Sequence, residues 1–339
     1  MPLIEATQLR KVFRRPDKRP GLAGSVRHLV ERKFTDKVAV DGIDLAIGAG
    51  EAVAYVGPNG AGKSTTVKML TGVLVPTSGT VRVEGRVPHR DRIANARRIG
   101  VVFGQRTQLW WDLPVRDSLE LLADMHGLSA AQYASSLERL DETLGLAELL
   151  PVMARKLSLG QRMRADLAAA LIHTPPIVFL DEPTIGLDIA VKDRVRAFAR
   201  QMVDEGTTVM LTTHDLGDIE DICKRLVIID EGRIVYDGDI RTVVETYARE
   251  RTMHFEVASA PTSLAGIAGR LPRATVGEGA SGGQLDVTFD PSLVSAAEVL
   301  TAVQAEADVV DIRIDEPAIE DVVRRIYAGE LRGEPGIAG

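Results

Sequence analysis

Apolar and polar positions alternate with a period of two over residues 3–9, 38–47 and 80–84, which predicts strands there. Shorter, nearly continuous apolar runs occur at 51–56, 99–103, 176–180, 207–212 and 225–230 and have the length of buried strands. Between them the apolar spacing changes to i, i+3, i+4. That predicts helices over 65–70, 117–125, 130–144, 158–172, 189–205 and 216–224. Buried strands that alternate with helices imply an α/β core with a largely parallel sheet. The helices clustered within 106–173 read as a helical subdomain set into that strand-rich frame. Gly232 and Gly238 flank a hairpin-like segment, and 239–250 reads as a helix.

Beyond Arg251 the pattern shifts. Alternation at 252–257, 284–289 and 309–314 is interrupted by helical spacing at 263–271 and 293–305, with a glycine-rich loop at 277–283. This predicts a small α+β domain of ferredoxin-like type, closed by a helix over 318–327. The expected organisation is therefore a domain over 1–250, an accessory domain over 251–328 and a disordered tail over 329–339.

Composition narrows the classes. The chain has 339 residues, 45% apolar and 26% charged, which suits large globular cores. No apolar run has membrane-spanning length and no signal peptide is evident, so the chain is expected in the cytosol, reaching a membrane only through a partner. The single cysteine, Cys223, excludes an internal disulfide and reads as a small packing residue. A net charge of −7 does not favour nucleic-acid binding. One basic stretch stands out: Arg10, Lys11, Arg14, Arg15, Lys18, Arg19, Arg27, Arg32 and Lys33, against Asp17 and Glu31. Pro16, Pro20 and Gly21 break it, and a short helix is expected near 25–32. It reads as a solvated loop or as a face for anionic lipid or an acidic partner.

The strongest chemical signal is YVGPNGAGKSTT at 55–66. It contains G-x-x-x-x-G-K-S between a predicted strand and a predicted helix, the pattern of a phosphate-binding loop. Gly57, Gly60 and Gly62 let the backbone curl so that its N–H groups converge, with Pro58, Asn59 and Ala61 between them. The positive end of the following helix, which Thr65 opens, adds to the nest for phosphate oxygens. Lys63 can reach terminal phosphates, and the Ser64 hydroxyl suits Mg²⁺. A second signal is IVFLDE at 177–182, a buried strand that delivers two acids at its carboxyl end. Asp181 is placed for Mg²⁺, and Glu182 is the candidate to polarise an attacking water.

Between these two lies LSLGQ at 157–161, with Ser158 as helix N-cap. At this point the chain resembles the ATP-binding subunits of ABC transporters, whose signature is usually LSGGQ; Leu159 replaces its first glycine. Further matches follow in order: Gln105 after the strand at 99–103, Gly186-Leu187-Asp188, and His214 after the strand at 207–212. The resemblance covers roughly residues 3–250. It implies the P-loop ABC ATPase fold, ATP and Mg²⁺ as cofactors, and a second copy of the chain as partner. ATP would be clamped between the phosphate loop of one copy and Ser158, Gly160 and Gln161 of the other, with Asp188 at the crossing. Gln105 and His214 would sense the γ-phosphate, and Gln105 would join Ser64 and Asp181 at the metal. Phe34 is the first choice to stack on adenine and Phe13 the alternative.

The stretch FGQRTQLWWDLP at 103–114, the LSLGQ variant and the extra carboxyl-terminal domain resemble the subunits that serve ABC-2 type export permeases. That implies a peripheral position on the cytoplasmic face of the membrane, held by the permease, with no nucleic-acid partner. Trp110 and Trp111 would form a socket for a permease helix or be buried in the subdomain. The competing reading is a soluble ABC-type ATPase without a permease. The accessory domain is expected to serve dimerisation or regulation.

Overall fold

The structure, a computed structural model, describes residues 2–16, 34–104, 106–247, 250–258, 263–279 and 283–315, together with 322–323 and 325–326. Contacts divide the chain into two units, the first running to Asp239 and the second beginning at Ile240.

In chain order the first unit contains β1 (Ile4–Pro16), β2 (Phe34–Ile47), β3 (Ala52–Val56), α1 (Lys63–Leu70), β4 (Ser78–Val83), α2 (Arg92–Ala96) and β5 (Ile99–Phe103). There follow α3 (Val115–His126), α4 (Ala130–Leu144), α5 (Leu159–Leu171), β6 (Ile177–Asp181), α6 (Ile189–Asp204), β7 (Thr208–Thr212), α7 (Leu216–Ile222), β8 (Arg225–Asp230) and β9 (Arg233–Asp239). The main sheet runs β5-β6-β7-β3-β8-β9, parallel except for the last strand. A smaller antiparallel sheet runs β2-β1-β4.

Period-two patterning explains the layering. Val53 and Tyr55, Ile177 and Phe179, and Val227 and Ile229 share one core cluster with Val67, Met69 and Leu70 of α1. Ile4, Leu9, Ile43, Leu45, Val81 and Val83 of the antiparallel sheet complete that cluster, so α1 is wedged between the two sheets. Each fully buried aliphatic or aromatic side chain contributes roughly 1.5–3 kcal/mol, which fixes the strand ends from which the site is built. The helices between β5 and β6 have strong local punctuation. Ser129 and Ser158 each close a capping box with Gln132 and Gln161, and Gly127 and Gly145 end α3 and α4 in the left-handed conformation.

The second unit contains α8 (Ile240–Tyr247), β10 (Arg251–Val257), α9 (Leu264–Arg270), β11 (Ala274–Glu278), β12 (Gln284–Phe289), α10 (Ala296–Gln304) and β13 (Val309–Asp315). Its antiparallel sheet runs β11-β12-β10-β13. From β10 onward this is a βαββαβ arrangement, with Met253, Phe255, Val287 and Phe289 packed together with Ile267, Val299 and Val303.

Several expectations shift. The first strand does not stop at residue 9 but pairs with β2 out to Pro16, so Arg10 and Arg14 lie on a strand and meet Asp41 and Asp36 at 3.1 and 3.5 Å. Residues 274–278 form β11, although glycine and few strand formers hide it in the sequence; pairing with β12 decides. The second unit begins at Ile240, before the expected boundary at 251. The helix expected near 25–32, the tail 329–339 and most of 318–327 lie outside the described residues.

Candidate nucleotide site

The site grows from the carboxyl end of β3. The chain leaves the sheet at Gly57, turns through Gly60 (φ 90°) and Gly62 (φ 117°), and enters α1 at Lys63. The reason for glycine differs along the turn. At Gly60 and Gly62 φ is positive, a backbone region that a Cβ disfavours. Gly57 was expected to help the chain curl, yet its φ is not positive. It is needed for close approach, because a Cβ there would stand 2.2 Å from the Ile229 carbonyl of β8. Lys63, 8% exposed, donates from Nζ to the carbonyls of Gly57 (2.5 Å) and Pro58 (3.3 Å). Burial pulls its pKa below the usual lysine value, opposed by the carboxylates of Glu182 and Asp181.

Two strands away, β6 ends at Asp181 in register with Thr212, the last residue of β7. Thr212 Oγ1 donates to Asp181 Oδ1 at 2.5 Å, and Ser64 Oγ lies 3.5 Å from the same oxygen. The acid at the end of β6 and the hydroxyl at the start of α1 thus converge, although 117 residues separate them. Glu182 takes a left-handed backbone (φ 57°), and its N–H donates to the Thr212 carbonyl at 2.9 Å. This turn swings its side chain away from that of Asp181 and toward His214, whose Nε2 lies 3.1 Å from Glu182 Oε1. Burial raises the pKa of Glu182, His214 and Lys63 pull it back, and Asp181 adds to the rise.

These groups open into a pocket of about 530 Å³. Pro58, Asn59, Gly60, Gly62, Lys63, Ser64 and Thr65 form one wall, and Glu182 and His214 another, with Ile185 beside them. Phe13, Lys37 and Ala39 from the antiparallel sheet close it. Phe34 does not line it. That side chain is 53% exposed at the far end of β2, opposite Pro16, so the place next to the phosphate loop belongs to Phe13. Gly57 and Ala61 are built into the loop without lining the pocket, and Gln105 lies outside the described residues.

The remaining predicted residues stand elsewhere on the same unit. Ser158 caps α5 and exchanges hydrogen bonds with Gln161 (Gln161 N–H to Ser158 Oγ 3.3 Å; Ser158 N–H to Gln161 Oε1 2.9 Å). Gly160 lies against Val191 of α6, where an added Cβ would stand 3.2 Å from a Val191 methyl and that side chain would have to give by a few tenths of an ångström. Asp188 caps α6, accepting from the Val191 N–H at 3.0 Å. None of these residues lines the pocket, and Ser158, Leu159, Asp188 and Ile189 are exposed. Trp110 and Trp111, 41% and 54% exposed, sit in the irregular stretch before α3, so neither is core. The Arg162 guanidinium lies over the Trp111 ring at 5.0 Å.

Sequence reasoning missed Thr212 and Lys37. Strand register brings Thr212 to Asp181, and register across a parallel sheet is not written in either strand alone. Lys37 sits in the stretch where β2 runs past its predicted start.

A glycine cradle at the end of a buried parallel strand, with an acidic pair two strands away, defines a P-loop nucleotide-binding protein. The family model described as ABC transporter matches residues 40–185. A daunorubicin resistance ATP-binding protein of Streptomyces coeruleorubidus is 39% identical over 61% of this chain and 66% of its own length. The Nod factor export ATP-binding protein I of Paraburkholderia xenovorans is 38% identical over 62% of this chain and 68% of its own. Among solved structures, an ATP-binding subunit of an ABC transporter superposes with a TM-score of 0.61 at 24% identity, covering 72% of this chain and 93% of that one. A dimeric ATP-binding cassette bound to ADP and Pi gives 0.59 at 22% identity, over 70% of this chain and 98% of the other. The chain belongs to the ATP-binding subunits of ABC transporters, a family of ATPases, and within them to the exporter-type systems. Among the described residues no helix is long and apolar enough to cross a membrane.

Proposed function

We propose that this chain hydrolyses ATP as one half of a pair and that the pair drives export through a separate ABC-2 type membrane partner. One observation carries the reading. Lys63, Glu182 and His214 line one pocket, whereas Ser158, Gly160, Gln161 and Asp188 lie outside it, largely on the surface of the same chain. A single copy therefore holds half of a site, and two copies facing each other supply the other half twice.

The roles follow from placement. Backbone N–H groups of the loop over 57–65, with Lys63, hold the phosphates, and Phe13 offers its ring to the base. Ser64 and Asp181 present a hydroxyl and a carboxylate to one point, which suits a magnesium ion. Among the described residues no cluster of three or more His, Cys, Asp or Glu side chains would hold a metal alone, so the nucleotide's phosphates would complete its shell. When bound, that ion would neutralise charge on the phosphates. Glu182 accepts a proton from the attacking water. The water oxygen bonds to the γ-phosphorus while the bond to the ADP oxygen breaks, leaving ADP and phosphate. His214 and Gln105 meet the γ-phosphate, and Trp110 and Trp111 offer an exposed aromatic face to the membrane partner. The second unit is proposed to tune pairing; truncation after residue 250 that leaves pairing and ATPase rate unchanged would refute that role.

The test is size-exclusion chromatography of Glu182→Gln with and without MgATP. ATP-dependent pairing that is lost in Ser158→Arg supports the reading; a monomer under all conditions rejects it.

A further inference from the structure

Behind Glu182 and His214 a set of polar contacts leads away from the pocket into α6. Asp218, in the first turn of α7, is fully buried. Its carboxylate accepts from three donors: Thr184 Oγ1 (2.5 Å), Thr213 Oγ1 (2.9 Å) and Arg196 Nε (2.6 Å). Thr184 follows Glu182 by two positions, and Thr213 immediately precedes His214. Arg196 reaches on to Asp215 Oδ1 at 2.9 Å, and Lys192, one turn earlier on α6, holds Asp215 Oδ2 at 2.6 Å. Side chains at i and i+4 share a helix face, so one face of α6 grips the loops on both sides of the Glu182–His214 pair.

The same helix starts at Asp188, beside Ile189, which is 79% exposed. Eight residues separate Asp188 from Arg196, about 12 Å along the helix axis at 1.5 Å per residue. A rigid rod therefore joins the surface loop at 186–188 to the reacting pair. Two further features single out this network. A buried carboxylate is costly unless all its partners are present, and removing one leaves the charge uncompensated. Glu182 is held at φ 57°, a backbone state that persists in a non-glycine residue only where surroundings over-determine it. The hydrogen bond from Thr184 to Asp218 anchors the chain just beyond that strained residue.

We propose that Asp218, with Thr184, Thr213, Arg196, Lys192 and Asp215, is a positioning clamp: it sets Glu182 against His214 and ties that setting to the loop at 186–188. The proposal rests on the roles assigned above to Glu182 and to a second copy. The clamp residues touch no nucleotide; they act through Glu182 and His214, on kcat and not on nucleotide binding.

Steady-state ATPase kinetics of the full chain test it. Thr184→Val is isosteric and removes only the hydroxyl, Thr184→Ser restores it, and Arg196→Ala opens the clamp from the helix side. Misplacement of a catalytic group by a fraction of an ångström or more lowers kcat, here by roughly tenfold to a hundredfold for Thr184→Val and Arg196→Ala, with KM for ATP within about twofold of wild type. Thr184→Ser is expected near the wild-type rate. ATP-dependent pairing in a Glu182→Gln background should survive Thr184→Val. Unchanged kcat in Thr184→Val and in Arg196→Ala, or kcat and nucleotide affinity falling together, overturns the clamp. A wild-type rate in Glu182→Gln alone would instead overturn the assignment of the site beneath it.

Discussion

His214 Nε2 stands 3.1 Å from Glu182 Oε1, and burial holds the Glu182 carboxyl above its ordinary range. A base must be ionised to accept a proton, so hydrolysis is expected to fall as pH drops through this raised pKa. The acid limb of kcat/KM should therefore lie above the usual glutamate value of about 4.3. His214 lowers that pKa, so His214→Ala should move the limb to higher pH as well as slow the reaction. Glu182→Gln should reduce kcat by at least roughly a hundredfold. A pH–rate profile of His214→Ala with the limb unmoved would disprove the pairing.

The Gly57 Cβ position lies 2.2 Å from the Ile229 carbonyl, and that at Gly60 meets nothing within 4 Å. Gly57→Ala must therefore push β3 and β8 apart or displace the loop. Gly60→Ala meets only the backbone preference at φ 90°, a cost of about 1–3 kcal/mol. Titration with a fluorescent ATP analogue should show a larger loss of affinity in Gly57→Ala than in Gly60→Ala. The reverse order would show that curvature, and not contact with β8, is what the first glycine provides.

Phe13 lines the pocket while Phe34 lies outside it. Base–aromatic stacking is worth about 1–3 kcal/mol per base, so Phe13→Ala should weaken ATP binding by about fivefold or more. Phe34→Ala should leave it unchanged. Calorimetric binding curves that rank the two the other way would restore Phe34 to the base.

These outcomes mark where the sequence speaks and where it falls silent. The phosphate loop was legible because the glycines, Lys63 and Ser64 act through local backbone geometry, and a strand and a helix flank them in sequence. The acidic strand at 177–181 was legible for the same reason, its apolar run ending at the residues that matter. Thr212 was hidden because its partner is set by strand register, and β11 because Gly277 and Glu278 weaken a strand that cross-strand pairing restores. Spacing puts Phe34 ahead of Phe13, whereas Phe13 is the one that lines the pocket, because the answer depends on how far β1 and β2 run past their patterned parts. The clamp on Asp218 draws on three separate stretches of chain and shows no motif in any of them.

The His126 and His173 rings stack with centroids 3.7 Å apart and 14° between planes. Burial, helped by His126, pushes the His173 pKa down to about 4, against the hydrogen bond between its Nε2 and the Ile99 carbonyl at 3.2 Å. The folded value lies below the unfolded value of about 6.5, so the unfolded chain takes up the proton first. The stability contribution is thus whole above pH 6.5 and is lost as pH falls toward 4, by about 2–3 kcal/mol. His173→Gln keeps a donor for Ile99 and cannot titrate. Urea midpoints measured at pH 7.5 and pH 4.5 should fall less in that variant than in wild type; equal losses would show that His173 charges as readily folded as unfolded.

Trp110 and Trp111 stand in the exposed stretch that leads from Gln105 to α3, and neither lines the nucleotide pocket. The Trp111 ring carries the Arg162 guanidinium on one face, and Arg162 belongs to α5, the helix that Ser158 caps. A partner pressing on this aromatic surface would therefore bear directly on α5. Large exposed aromatics are where binding energy concentrates in protein interfaces, with losses of about 2 kcal/mol or more on truncation to alanine. Trp110→Ala and Trp111→Ala should leave the ATPase rate of the isolated chain within about twofold of wild type, as truncations of exposed side chains outside the pocket do. In a reconstituted assembly with the proposed ABC-2 type membrane partner, the same variants should lose co-purification and transport. Full transport by the double variant would show that the partner docks elsewhere.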